Sequence, residues 1–345
     1  MNHVPTRRSD GTIQFRREMQ PWPKDRPFRI LSIDGGGICG LLPAAVLAEI
    51  EQRFLGGAPV SDYFDLVAGT STGGLIALGL GAGMSGAQLK QFYIERGPNI
   101  FPSSDGVTGK ARGMLKWAKQ KVRTLYDVAP LEAELMRVFE QRFFGDSKLR
   151  LCVPSFEGTH GEPWIYKTPH HPDYKKDRHE RMFTVGRATS AAPTYFKPLD
   201  TFGYRMVDGG LWANNPVMIG LVDALACFDI DREQVQILTL GCGENSFHAS
   251  DSQVDGGELQ WRNAIRGAMR AQSRNALGQA FLLVGKDRVV RLDAPESPNP
   301  IAMDDVGRAL AELPNMARSL VEGAGHRVNE MFLGDKVVPY QPIMM

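Results

Sequence analysis

FDLVAGTSTGGLIALGL, residues Phe64 to Leu80, is the stretch around which the chain is read. Phe64, Leu66 and Val67 have the apolar character of a short buried strand near its end. Leu75, Ile76, Leu78 and Leu80 have that of an apolar helix. Between them Gly69-Thr70-Ser71-Thr72-Gly73 fits the pattern G-x-S-x-G. A sharp strand-to-helix turn pushes the central serine into a strained, exposed position, and glycines two residues to either side remove the Cβ atoms that would clash. The helix that follows aims its N-terminal amides and positive dipole end at that serine. An ordinary Gly/Ser/Thr turn fits the same five letters, so the apolar strand before and the apolar helix after are what give the match weight.

The same grammar occurs just upstream. Phe28 to Ile33 (FRILSI) reads as a strand, Asp34-Gly35-Gly36-Gly37-Ile38-Cys39-Gly40 as a glycine loop, and Leu41 to Phe54 as a helix with Leu42, Val46 and Ile50 every four residues. Two strand–loop–helix units in succession predict a parallel α/β sheet. Further on, helices are expected over 86–98, 130–143, 182–192 and 258–284, and over 303–323 with a break near Pro314. Strands are expected over 149–153, 164–167, 235–240 and 289–292, with another ending at Asp208. Asn215-Pro216 reads as a helix start. The division expected is an arm over 1–27, one α/β domain over 28–300, and a helical extension packed on it over 301–345.

Composition narrows the function classes. The chain has 345 residues, 43% hydrophobic and 23% charged, with a net charge of +1, which is globular and carries no overall field for DNA or RNA. Cys39, Cys152, Cys227 and Cys242 are widely spaced, with no C-x-x-C, which argues against zinc and a disulfide framework and suits a reducing compartment. The N-terminus has no apolar signal core, and the most apolar run is too short to span a bilayer. A cytoplasmic protein that meets membranes from the surface is the expectation.

Gly35 to Gly40 also fits G-x-G-x-x-G, which makes a dinucleotide-binding oxidoreductase a rival. That reading needs an acidic residue at the end of the next strand, whereas Glu49 and Glu51 fall inside the predicted helix. No G-K-[ST] follows, which excludes a P-loop. A run of glycine amides at a helix N-terminus also suits the oxyanion of a tetrahedral intermediate. A serine hydroxyl needs a base. His160, His170, His171 and His179 lie in polar loop sequence, and His248 and His326 in no better setting. Asp208 ends a short strand and is followed by Gly209 and Gly210, which let backbone approach closely. A carboxylate in a dry, fixed site can take the serine proton directly, although Asp-Gly is also an ordinary turn.

Taken together these segments resemble the patatin-like phospholipase family. The matching elements are Asp34-Gly35-Gly36-Gly37-x-x-Gly40, Gly69-x-Ser71-x-Gly73 and Asp208-Gly209-Gly210, in that order. Ala188-Thr189-Ser190-Ala191-Ala192-Pro193 and Asn214-Asn215-Pro216 lend support. The resemblance covers roughly residues 28 to 245. It implies a three-layer α/β/α fold with a parallel-rich central sheet and lipid acyl-ester hydrolysis without a cofactor. It further implies a Ser71–Asp208 dyad without histidine and an oxyanion hole from Gly35, Gly36 and Gly37. One departure is Cys39, where the family usually has Arg or Lys.

Two basic stretches stand out. Arg262, Arg266, Arg270 and Arg274 recur every four residues and draw a row on one helix face, suited either to phosphate contacts or to a solvated, salt-bridged surface. The layout resembles bacterial antiphage effectors of this family that cyclic dinucleotides switch on, which implies such an activator and the cell's own membrane phospholipids, met at the inner face, as substrate. A homo-oligomer is compatible with this. Val107 to Leu125 holds six Lys and Arg, no acidic residue, and Met114 and Trp117, which suits either a lid facing an anionic bilayer surface or a solvated helix.

Overall fold

The computed structural model describes residues 17–102, 124–243 and 264–343. Among the described residues eight strands form one mixed sheet: β1 (Phe28–Ile33), β2 (Leu66–Gly69), β3 (Arg150–Glu157), β4 (Glu162–Lys167), β5 (Leu199–Thr201), β6 (Tyr204–Asp208), β7 (Val235–Leu240) and β8 (Val289–Leu292). Strands β3-β2-β1-β7-β8 are parallel, whereas β4, β5 and β6 join antiparallel. The helices used below are α1 (Leu41–Phe54), α2 (Thr72–Gly81), α3 (Gly86–Ile100), α4 (Ala129–Phe139), α5 (Met182–Thr189), α6 (Gly210–Ala213), α7 (Val217–Cys227), α8 (Ala264–Val284) and α9 (Val306–Phe332).

Strand parity builds the layers. Side chains alternate across a strand, so an all-apolar run feeds two cores. Leu31, Ile33, Val67, Leu238 and Leu240 enter one core with α1, α2, α3 and α9. Phe28, Ile30, Leu66, Ala68, Val235 and Ile237 enter the other with α7 and α8. The sheet therefore lies between two helical layers, the three-layer α/β/α arrangement with a parallel-rich centre.

One topological detail positions the site. Cys152 of β3 pairs with Ala68 of β2 and also with Lys167 of β4, so β2 and β4 occupy opposite edges of β3. Three residues on, Ser155 pairs with Asp208 of β6 and with Trp164 of β4. Strands β2 and β6 therefore share one edge of β3, end to end, and run towards each other. Their carboxyl ends meet in the gap beside Val153 and Pro154.

Several elements depart from the sequence reading. Helix α9 runs unbroken through Pro314, because Ala309, Leu313, Ala317 and Val321 bury one face in the first core and offset the single lost backbone bond. Strand β5, which pairs with the expected β6 as a hairpin, is additional, and α4 ends at Phe139 and α5 at Thr189, earlier than the periodicity suggests. Of the arm, residues 17–27 are described. They lie against α7, with Gln20 bridging to Phe228, and Trp22 packed on Phe28 and Phe228. Among the described residues no helix is long and apolar enough to cross a membrane.

Candidate active site

Ser71 sits between β2 and α2 at φ 54 and ψ −121. A non-glycine residue there is strained by about 1–3 kcal/mol and persists only when its surroundings over-determine it. They do. The Ser71 amide donates to Thr189 Oγ1 at 2.9 Å, and Thr189 Oγ1 donates to the Pro154 carbonyl at 2.6 Å. Thr70 Oγ1 donates to the Ala213 carbonyl at 2.6 Å. A Cβ at Gly69 would lie 2.1 Å from the Gly73 carbonyl oxygen, and one at Gly73 would lie 2.2 Å from that of Ile33. Both flanking glycines of the motif are thus steric requirements.

Asp208 arrives from the opposing strand. Ser71 Oγ donates to Asp208 Oδ2 at 2.6 Å, and the Gly210 amide donates to Oδ1 at 2.7 Å. Gly209 allows the approach, since a Cβ there would lie 2.4 Å from the Pro154 carbonyl oxygen. Burial pushes the Asp208 carboxyl up to about 6, against the lowering effect of the Ser71 and Gly210 bonds. A carboxylate with that affinity is a competent proton acceptor near neutral pH and is already within reach of the hydroxyl.

The glycine loop lies against the serine. A Cβ at Gly35 would be 3.2 Å from Ser71 Cβ and 2.7 Å from Asn214 Oδ1. The Gly35 amide is committed, however: it donates to the Asn214 carbonyl at 3.0 Å. At the other end the Ile38 amide donates to the Met303 carbonyl at 2.9 Å. The amides of Gly36 and Gly37 have no acceptor among the described residues. Gly37 has φ 59 and lines a cleft together with Ser71. Below the loop, Arg291 bridges Asp34 Oδ2 and Asp293 Oδ2, each at 2.6 Å. Cys39 is buried, and its thiol, pushed up to about 12 by burial, faces the carbonyls of Ile301 and Ala302. The cation that anchors the base of this loop is therefore Arg291, and Cys39 is neutral.

The cleft, with its solvent-open mouth, spans about 560 Å³ and is walled by Leu75, Phe92, Ile100, Phe101 and Phe196 beside Ser71. A second apolar cavity of about 310 Å³ shares Leu75, Phe92 and Tyr93 with it and extends towards Met84 and Val138. Such walls suit an aliphatic chain.

The described histidines are elsewhere. His170 is buried with Nδ1 on Thr168 Oγ1 at 2.9 Å and Nε2 on Asp223 Oδ2 at 2.7 Å. His171 reaches the Glu18 carbonyl, His160 pairs with Glu157, and His326 is exposed beside Glu330. His179 is exposed, and His248 lies outside the described residues. His170 and His171 are thus core groups, although the sequence around them reads as a polar loop. Cys152, His170 and Asp223 lie close enough to share a metal ion, but Lys167 Nζ sits 2.6 Å from Asp223 Oδ1 and already supplies that positive charge. Glu51 is not a ribose ligand either: it is buried in α1 and accepts from the amides of Val60 and Gly86 at 3.0 and 2.9 Å.

Of the arginine row, Arg262 lies outside the described residues, as do residues 107–123, and the Arg266 side chain is likewise not described. Arg270 and Arg274 both reach Glu296 Oε1, Arg270 at 2.5 Å. Sequence reasoning gave no role to Thr189, which ties the serine turn to β3, or to Asn214, whose carbonyl holds Gly35. Both belong to the supporting motifs quoted above, but their contributions are local hydrogen bonds that no spacing announces.

The sequence model of the family described as "Patatin-like phospholipase" matches residues 31–221. A protein of Escherichia coli named "cGAMP-activated phospholipase" is 35% identical over 66% of this chain and 66% of its own length. A Vibrio cholerae protein of the same name is 34% identical over 85% of this chain and 90% of its own. Among solved structures, VipD from Legionella pneumophila is 12% identical with a TM-score of 0.41, covering 90% of this chain and 71% of that one.

Proposed function

The chain belongs to the patatin-like phospholipase family, and from that premise we propose that it is a lipid acyl hydrolase working through a Ser71–Asp208 dyad, without cofactor and without histidine. The observation that carries the reading is the 2.6 Å bond from Ser71 Oγ to a buried carboxylate lifted to about 6, at the edge of an apolar cleft. Ser71 Oγ attacks the ester carbonyl carbon while its proton passes to Asp208. The oxyanion is met by the amides of Gly36 and Gly37, and Gly35 shapes the loop through its bond to Asn214. Collapse expels the alcohol, which takes the proton back from Asp208. Water, deprotonated by Asp208, then attacks the acyl-Ser71 ester, and Ser71 recovers its proton as the fatty acid leaves. Gly69, Gly73 and Gly209 are steric supports of this geometry.

The second part of the reading is control. Relatives named "cGAMP-activated phospholipase" support a cyclic dinucleotide as the switch and phospholipid as substrate. The proposed phospholipid is that of the cell's own membrane, met peripherally from the cytoplasmic face, in defence against phage. Phosphates need cationic partners, and Arg262, Arg266, Arg270 and Arg274 are the proposed ones. The test is fatty-acid release from phosphatidylglycerol vesicles with and without 3′,3′-cyclic GMP–AMP, for wild type and Ser71→Ala. Release that requires both the nucleotide and Ser71 supports the reading. Equal release without nucleotide removes the control and leaves the hydrolase. Release by Ser71→Ala at the wild-type rate removes Ser71 as the nucleophile and with it the dyad.

A further inference from the structure

Helix α8 has two working faces. On the outer face Arg270 and Arg274 converge on one oxygen of Glu296, whose side chain is 57% exposed. Two guanidinium groups around a single anionic oxygen is the arrangement a phosphate would meet, and a carboxylate holds the position instead. On the inner face Gln272 grips the segment that follows Asp208: its Oε1 accepts from the Asn215 amide and its Nε2 donates to the Asn215 carbonyl, each at 3.1 Å. Ser273 Oγ is 3.5 Å from Asn214 Nδ2, and Met269 Cε would lie 3.4 Å from a Cβ at Gly210.

Both faces lead to the glycine loop. Inward, Asn214 is the residue whose carbonyl accepts from the Gly35 amide, and Gly210 is the one whose amide donates to Asp208. Outward, Glu296 lies on the segment after β8 that continues to Met303, whose carbonyl accepts from the Ile38 amide and lies 2.4 Å from where a Cβ at Gly37 would be. Asp304, next in that segment, accepts from Tyr126 Oη at 2.6 Å, and Tyr126 packs against Phe101 and Phe196 of the cleft wall. The open amides of Gly36 and Gly37 are thus bracketed by two anchors, Asn214 and Met303, and α8 holds the segments that carry both.

We propose that Arg270 and Arg274 form a site for the phosphate of a phosphodiester ligand, that Glu296 occupies it when no ligand is present, and that displacement of Glu296 is read at Gly36 and Gly37 through Asn214 and Met303. This rests on the nucleotide-control reading above and supplies its location and its route. An effector shifts an equilibrium only by differential affinity. Here the differential is the exchange of one carboxylate for a phosphate on the same two arginines, which releases the 293–303 segment from α8.

The experiment measures two quantities for each variant of the full chain: the Kd for 3′,3′-cyclic GMP–AMP by calorimetry, and the nucleotide-stimulated turnover of a soluble short-chain ester. Thermal melting checks that each variant is folded. Glu296→Gln weakens the competitor, so the Kd and the half-activating concentration should both fall by about two- to fivefold, the range of an exposed ion pair. Arg270→Ala should raise both by about tenfold or more, as expected for loss of a charge-assisted contact. Gln272→Met keeps the side-chain volume and deletes both bonds to Asn215; it should bind nucleotide as wild type does yet lose most of the stimulation. Wild-type binding in both Glu296→Gln and Arg270→Ala, with wild type itself responding, overturns the site. Full stimulation of Gln272→Met overturns the route. A wild-type protein that neither binds nor responds overturns the control reading on which both stand.

Discussion

Two aspartates in this molecule are buried to the same degree and behave oppositely. Asp208 is 4% exposed and Asp223 is 2% exposed. Around Asp223 stand Lys167 Nζ at 2.6 Å, Tyr174 Oη at 2.6 Å and His170 Nε2 at 2.7 Å. Against the cost of burial, Lys167 and His170 hold its carboxyl far below the usual range. Around Asp208 stand a hydroxyl and an amide, and burial prevails, lifting it to about 6. A buried carboxylate beside a lysine ammonium is a structural anchor. A buried carboxylate with only neutral donors, one of them a strained serine, has an affinity for protons left over for chemistry.

The largest effect should come from exchanging the charge at each. Asp208→Asn should lower ester turnover by roughly 10²–10⁴-fold, the contribution of a general base, and the double variant with Ser71→Ala should be little worse than Ser71→Ala alone. Its stability should rise at pH 8. The sign follows from the shift: a folded-state value near 6, above the unfolded one, adds stability that is full below the unfolded value and is lost as pH rises through about 6. Asp223→Asn should do the reverse. It strips a buried lysine of its partner and should cost about 3–5 kcal/mol in denaturant titration, with turnover of the folded fraction within about tenfold of wild type. Stability from Asp223 is present above its unfolded value and fades as pH falls. Were the two variants to exchange phenotypes, the contrast between anchor and base would be broken.

This contrast also marks how far the sequence could be read. The serine turn, the glycine loop and the Asp-Gly-Gly segment are legible because each demands glycine on steric grounds: a Cβ would lie 2.1–2.4 Å from a backbone oxygen at Gly37, Gly69, Gly73 and Gly209, and 2.4 Å from the Cys242 Cβ at Gly36. The layers are legible because apolar runs in β1, β2 and β7 leave no polar face. What was not legible depends on pairing across long separations. His170 sits among Pro, Lys and Asp in sequence, and only its contact with Asp223, 53 positions on, makes it a core residue. The commitment of the Gly35 amide to the Asn214 carbonyl is backbone to backbone and has no side-chain signature. Pro314 reads as a helix break, but burial along α9 outweighs one missing bond.

A smaller effect sharpens the same comparison from the histidine side. His170→Gln, assayed with the same ester, should leave turnover within about tenfold, below the range of a lost base. It should lower the melting temperature, since it removes one of the groups holding Asp223. A loss matching that of Ser71→Ala would move the base to the histidine.

The smallest effect concerns support rather than chemistry. Thr189→Val removes the acceptor for the Ser71 amide and the donor to Pro154 while keeping the shape. Loosened positioning should reduce kcat several-fold, up to about tenfold, with KM little changed. Were Thr189→Val to raise KM at constant kcat, Thr189 would be acting on substrate binding instead of on the serine turn.

The most direct test of the dyad is the pH dependence of Ser71 phosphonylation by an uncharged fluorophosphonate, in which Ser71 Oγ bonds to phosphorus and fluoride leaves. The account predicts that the labelling rate falls as pH drops through about 6, that His170→Gln leaves this limb in place, and that Asp208→Asn loses both the limb and most of the rate. An Asp208→Asn protein that labels at the wild-type rate, with the same acid limb, would contradict it.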